Sequence, residues 1–337
     1  MKFRKIAAVM MAALLAAGMT ACRKDYTREG GEITTADVEL LKQLAETTVV
    51  ETNLSEGVPV DEQDDSDARL VLDREGVLIK APKSVNKIVS GSERITQLLI
   101  DLGLGGKIAA ADKDSANVTG ISPSICTLNK KIITASALED IEPDVVILSG
   151  TSAANVYTTL NNAGVNVICV PDSTTIESVK LDIEFLASYL SVEEKGMEII
   201  DTIDTAANTV AEKAAGVPAR KVYFEEQAIP EFKAYGDNTL ALEIVSLAGG
   251  VNAFAGQSGI AAVTSENIIA ANPDVILTTV SYDGYDINEI SARTGWGAIN
   301  AVKTVSIRPI NEISDTASIA DSIYEIAKAV YPELYTE

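Results

Sequence analysis

The sequence predicts an α/β protein built as two Rossmann-like lobes, each with a parallel central sheet, bridged by a single long α-helix. Three observations predict it. From Lys87 onward, short apolar strand candidates alternate with amphipathic helical stretches, a grammar that builds a parallel sheet with helices on its faces. The same grammar restarts after residue 216, and between the two blocks an apolar stripe at helical spacing runs through residues 192–215. The chain has 337 residues, enough for two domains of ordinary size, and 47% of them are apolar, with many Ala, Val and Ile and few aromatics.

At the N-terminus, Lys2, Arg4 and Lys5 precede an apolar run from Ile6 to Ala17, too short to span a hydrocarbon layer of ~30 Å comfortably. Residues 1–22 therefore read as an export signal. Met19-Thr20-Ala21-Cys22 resembles the lipobox of bacterial lipoproteins, which implies lipidation of Cys22 and a mature chain anchored to the outer face of the cytoplasmic membrane, or periplasmic. Residues 23–68 form an acidic tether ending in "DEQDDSD", Asp61 to Asp67; that run lacks the glycine turn and distal Glu of a calcium loop. Inside the tether, Val38, Leu41, Leu44 and Ala45 share one helical face.

The first lobe spans residues 69–191. "LVLDREGVLIKAP" alternates around Arg74-Glu75-Gly76 as a hairpin does, and the strands "KIVS", "KIAAAD", "DVVILS" and "VNVICV" follow, with helices "ERITQLLIDLG" and "AANVYTTLNNAG" among them. The bridging helix, residues 192–215, opens on Ser191-x-x-Glu194, a capping-box spacing, and carries Met197, Ile200, Ile203, Ala207, Val210 and Ala214 as its apolar stripe. The second lobe, residues 216–337, holds "KVYFEE", a helix ending "EIVSLAGG", "DVILTTV", "TVSIRP" and the helix "SIADSIYEIAKAV".

Charge and composition remove several function classes. The balance of 27 basic against 49 acidic residues, a net of -22, repels phosphate backbones, so nucleic acid is not an expected partner. There is no histidine, which removes the usual triads and imidazole metal sites. Cys126 and Cys169 either form a disulfide or stay as two buried thiols. The glycines at 103–106 and 249–250 follow helices and read as C-caps, not as nucleotide fingerprints.

Ligands of open α/β sheets bind outside the carboxyl ends of the strands, and the loops there supply the candidate ligand residues. These are Ser90, Ser92, Asp112, Lys113, Ser149, Thr151 and Asp172 in the first lobe, and Glu226, Tyr235, Tyr282, Tyr285 and Arg308 in the second. Cations are few in these loops, which favours a bulky neutral or amphipathic ligand over a small polyanion. Trp296 reads as a core or rim anchor.

The ordered segments "APKSVNKIVSGSERITQLLIDLGLGGKIAA", "LEDIEPDVVIL", "LAGGVNAFAG", "SENIIAANPDVIL", "GWGAINAVKTVSI" and "IAKAVYPEL" resemble the substrate-binding proteins of cobalamin and iron-siderophore ABC importers over residues 69–337. The resemblance implies a monomer without catalysis or a cofactor of its own. It holds a metal chelate such as cobalamin, a ferric siderophore or haem between its lobes and delivers it to a membrane permease. It also implies one exposed carboxylate per lobe facing permease arginines, here Glu139 and Glu266. Ser136-x-x-Glu139 is equally a capping box, and Glu266 equally a first-turn carboxylate. Where iron-complex relatives carry a further basic residue after Arg-Pro, "RPINEISDTASIADSI" turns acidic and polar after Arg308, which argues against a strongly anionic siderophore. The competing readings are an exported carboxylate-dependent hydrolase on a similar scaffold and a surface interaction lipoprotein.

Overall fold

The computed structural model describes residues 68–150, 153–228, 231–279, 287–311 and 313–336. The export signal, Cys22, the tether with its 33–47 segment, and Thr151, Tyr282 and Tyr285 lie outside the described residues. Among the described residues no helix is long and apolar enough to cross a membrane.

The alternating segment forms the expected hairpin: β1 (Ala68–Leu72) pairs antiparallel with β2 (Leu78–Pro82), Leu72 opposite Leu78. Its turn closes on Asp73, whose Oδ1 accepts the N–H groups of Glu75 and Val77, both at 2.9 Å. Then come β3 (Ile88–Ser90), α1 (Glu93–Asp101), β4 (Ile108–Asp112), β5 (Cys126–Leu128), β6 (Val145–Ser149), α2 (Ala154–Asn162), β7 (Val167–Val170) and α3 (Ile176–Leu190). The sheet order is β5-β4-β3-β6-β7, all parallel, so the chain reverses direction across the sheet between β3 and β6. Both faces are covered, which is why Ile88, Val89, Val145, Val146 and Ile147 are all fully buried in near-continuous apolar runs. Gly103 and Gly249, with φ +77 and +85, terminate helices as the sequence predicts.

Residues 135–138 make a single 3-10 turn capped by Thr134, whose Oγ1 accepts the Ala137 N–H at 3.3 Å. Glu139 therefore sits just past the end of a turn, not near a helix start, and the Ser136-x-x-Glu139 box does not form. Cys126 and Cys169 are free thiols that donate to the Ser122 and Gly150 carbonyls; burial pushes both thiols up from their ordinary range.

The bridging helix α4 (Glu193–Ala214) is 22 residues long, roughly 33 Å at its 1.5 Å rise per residue. Ser191 does not cap it. With φ 61 it is the left-handed C-cap of α3, and Val192 precedes α4 without a side-chain cap. The buried face keeps most of the expected stripe, with Ile203 and Val210 buried and Ile200 and Ala207 packed against the core, but it also takes in Gly196, Ile199 and Ala206, whereas Met197 is 59% exposed. The reason lies at Gly196, where a Cβ would fall 2.5 Å from that of Ala187; close approach of α3 at this glycine sets the phase.

The second lobe contains β8 (Arg220–Gln227), β9 (Phe232–Tyr235), α5 (Leu240–Leu247), β10 (Gly250–Asn252), β11 (Ile260–Val263), α6 (Ser265–Ala271), β12 (Val275–Thr278), α7 (Ile287–Ser291), α8 (Asn300–Lys303), β13 (Ile307–Pro309) and α9 (Ile319–Val330). Its sheet order is β11-β9-β8-β12-β13, with β10 also on β8. Its centre is parallel as expected, β10, β8, β12 and β13, and two antiparallel strands extend one side: β9 runs antiparallel to β8 and β11 antiparallel to β9. The link from β8 to β9 is too short for a parallel crossover. α4 packs on α3 and on α9, so one apolar core runs from the first sheet to the second. On the outer face of the second sheet Trp296 is fully buried, as expected of a core anchor, and its Nε1–H donates to Ser265 Oγ at 2.8 Å.

α6 opens on a reciprocal cap: Thr264 Oγ1 accepts the Asn267 N–H at 3.2 Å while Asn267 Oδ1 accepts the Thr264 N–H at 3.3 Å. Thr264→Ala is expected to cost about 1 kcal/mol, read from the urea midpoint with an unchanged slope.

Candidate ligand-binding cleft

Each sheet has a switch point, between β3 and β6 in the first and between β8 and β12 in the second. α1 starts directly after β3, which places Arg94 in its first turn. A cation there opposes the helix dipole and needs anionic partners. Two carboxylates answer it, one from each lobe. Asp182 on α3 accepts from Arg94 Nη2 at 2.5 Å, and Asp315, in the loop after β13, lies 2.5 Å from Arg94 Nε. The remaining Nη contacts go to Ser149 Oγ at 3.3 Å, the Pro171 carbonyl at 3.0 Å and Ser173 Oγ at 3.3 Å. Asp182 is fully buried and also takes Arg74 from the hairpin turn and the Ser173 hydroxyl.

Two further bonds cross between the lobes at this level. Glu243 Oε2 on α5 accepts the Ile176 N–H at 2.7 Å, and Asp101 Oδ2 accepts the Ala317 N–H at 3.3 Å. Burial pushes the Asp315 and Glu243 carboxyls up; Arg94 opposes the shift at Asp315, and the Ile176 N–H opposes it at Glu243.

Against Asp315 lies a cavity of about 290 Å3 at the lobe boundary, lined by Ser173 from the first lobe and by Tyr235, Thr239, Leu240, Ile313 and Asp315 from the second. Tyr235 is held edge-on against Phe224 with ring centroids 4.9 Å apart. At the end of β8, buried Glu225 takes Arg293 through both oxygens, at 2.6 and 3.0 Å, and the Tyr223 hydroxyl at 3.1 Å. The Arg293 guanidinium stacks 4.6 Å from the Trp296 ring and 5.1 Å from that of Phe232.

The predicted ligand residues divide sharply. Tyr235 lines the cavity, and Ser149 abuts it through Arg94. Asp172 is exposed beside Gly150, where a Cβ would fall 2.5 Å from its Oδ1; Lys113 is exposed on the turn after β4. Ser92 caps α1, accepting the Ile95 N–H at 3.2 Å. Glu226 is half-buried, with Oε2 buried and without a hydrogen-bond partner. Three placements correct the expectation. Ser90 is sealed inside, sharing a hydrogen bond with Thr96 at 2.7 Å. Asp112 is fully buried and spends its oxygens on the Asp114 and Lys130 N–H groups, at 3.1 and 2.5 Å. Arg308 folds back to the Val305 and Ile307 carbonyls, at 2.7 and 2.9 Å, toward the entry end of β13 and away from the strand ends.

Sequence reasoning missed Arg94, Asp315 and Thr239. Arg94 had a signal, a lone cation one residue after "SGSE" in a first turn. Asp315 had none, because its partner comes from the other lobe.

Residues 88–312 match the model of the family described as periplasmic binding protein. The chain belongs to that family. An uncharacterized ABC transporter substrate-binding lipoprotein of Bacillus subtilis is 26% identical to this periplasmic binding protein over 264 residues, covering 76% of this chain and 83% of its own. A vitamin B12-binding protein of Yersinia pestis is 24% identical, covering 62% of this chain and 74% of its own. The crystal structure of a possible iron-binding, periplasmic solute-binding protein from Staphylococcus epidermidis superimposes with a TM-score of 0.65 at 22% identity, over 74% of this chain and all of that one; it shares the fold.

Proposed function

We propose that this protein captures a bulky metal chelate, of the cobalamin, ferric-siderophore or haem kind, in the cleft between its lobes and delivers it to the permease of an ABC importer. The observation that carries the reading is a cavity at the lobe boundary with a wall from each lobe, bounded by tyrosine, hydroxyl and aliphatic side chains. Lobes joined by one stiff helix can admit such a ligand and close on it without unfolding. Relatives named for vitamin B12 binding and for ABC transport support the choice of class.

Export and lipidation at Cys22 would hold the monomer at the membrane, with residues 23–68 as its leash. Glu139 and Glu266 are exposed, one on each lobe, and serve as the contacts to the permease. Glu266 is suited to this: its own N–H and the Thr264 hydroxyl hold its carboxyl below the ordinary range, so it stays charged.

The test is to titrate the chain lacking residues 1–22 with cyanocobalamin, haemin and ferric hydroxamate and catecholate siderophores. Visible absorbance and calorimetry report binding. The expected result is saturable one-to-one binding of at least one chelate at micromolar concentration or below; no binding by any of them overturns the proposal.

A further inference from the structure

We infer that Asp315 decides which charge class of chelate the cleft accepts, admitting uncharged or cationic chelates and rejecting those that present carboxylates or other anionic groups. The inference rests on the reading of the cleft as the ligand site.

Arg94 borders the cavity through Ser173 and Asp315, and its Nη donors are spent within the protein. Its Nη atoms are engaged by Ser149, Ser173, Asp182 and the Pro171 carbonyl, and its Nε faces Asp315. Its side chain is only 12% exposed, whereas that of Asp315 is 31% exposed and lines the cavity. A ligand entering from solvent therefore meets the carboxylate before the guanidinium. The local balance has the same sign: Arg74 and Arg94 face Asp182 and Asp315, and Asp172 is close enough to act on Asp315 electrostatically.

Lys233, half-buried on β9 two residues before Tyr235, is not among the residues that line the cavity. Arg293 is bound by Glu225, and Arg308 is turned to carbonyls. At the far edge of the first sheet, Lys113 and Lys130 flank Asp114, with Lys130 Nζ 2.9 Å from it. By sequence, residues 151–152, 229–230, 280–286 and 312 contain Asp283, Asp286 and Glu312 and no Lys or Arg, so they cannot supply a compensating cation. Among the described residues the cavity is lined by hydroxyls on Ser173, Tyr235 and Thr239, apolar surface on Leu240, Ala241 and Ile313, and one carboxylate. Such a surface suits a chelate whose rim is amide or hydroxyl and whose body is apolar; an anion would lose its water without gaining a donor.

Acid should act as the substitution does. Burial raises the Asp315 carboxyl and outweighs the opposition of Arg94 and of its own backbone N–H, with Asp182 and Asp172 adding to the rise, so falling pH discharges this group above the ordinary aspartate range.

The experiment uses matched pairs that differ only in charge, titrated into the folded chain lacking residues 1–22. The probes are cyanocobalamin with its monocarboxylic acid, and a cationic ferric trihydroxamate with its succinylated form. A ferric tricatecholate trianion is the fifth probe. For whichever body binds, the carboxylated form is expected to bind at least about tenfold more weakly, and Asp315→Asn to close most of that gap. Asp315→Ser serves as a second variant, with melting temperature and circular dichroism verifying the fold of each. A carboxylated form or the tricatecholate as the tightest ligand overturns the inference and leaves the proposed function standing. So does a gap that both folded variants leave unchanged. Failure of every probe overturns the proposed function and the inference with it.

Discussion

Charge reversal at both proposed docking carboxylates, Glu139→Lys with Glu266→Lys, is expected to abolish chelate delivery while leaving the affinity for the free chelate within about twofold of the wild type. Both side chains are exposed, so the cleft should be unaffected, and the fold should lose no more than about 1 kcal/mol from placing a cation in the first turn of α6. Glu266 enters a rigid site, the first turn of a capped helix, and Glu139 sits beyond a 3-10 turn anchored by buried Leu138. In the proposed role the two groups act as a pair: the permease would read both at once, and each reversal would replace attraction to an arginine by repulsion. Each single reversal should slow transport about tenfold and the pair should cost more than either. Transport by the importer reconstituted in vesicles, set beside calorimetric chelate affinity, measures both quantities. Normal transport by the double variant would sink the docking role.

The second large effect lies in the interior. Asp182→Ala should destabilise the protein by about 3–5 kcal/mol, since it strips two poorly exposed guanidiniums, Arg74 and Arg94, of a carboxylate that has no solvent exposure. The loss should appear as a lower urea midpoint. Leu181, the neighbour on α3, is 38% exposed, and its alanine variant should cost well under half as much. Loss of less than about 1 kcal/mol at Asp182 would mean that water reaches the arginines and replaces it.

The difference between those two neighbours also explains how far the sequence could be read. The first lobe was legible because buried parallel strands advertise themselves as apolar runs: Val145 to Leu148 has no polar position to confuse the pattern. The second sheet was harder. β9 and β11 are four residues each, too short to show a pattern, and only their pairing partners reveal that they run antiparallel. α4 was found with most of its buried face, but Gly196 was overlooked and Met197 misplaced, because a glycine carries no hydrophobic signal and yet sets the closest contact. Among candidate ligand groups, residue type and loop position were legible, but solvent access was not. Ser90 and Asp112 have the right chemistry at strand ends and are sealed by Thr96, Ser115 and the 130 backbone amide. Arg94 and Asp315 illustrate the opposite failure, a pair made only when two lobes are brought together.

The hairpin that opens the fold has a mechanical consequence. Arg69 donates to the last carbonyls of α3, at Ser188 and Tyr189, and Arg74 binds the same helix at Ser178 and Asp182. Any pull along the chain preceding Ala68 enters through this strand pair, and the two arginines pass it into α3. Under the proposed anchoring, a load on the preceding residues would be borne by α3 and the first lobe before it reached the second.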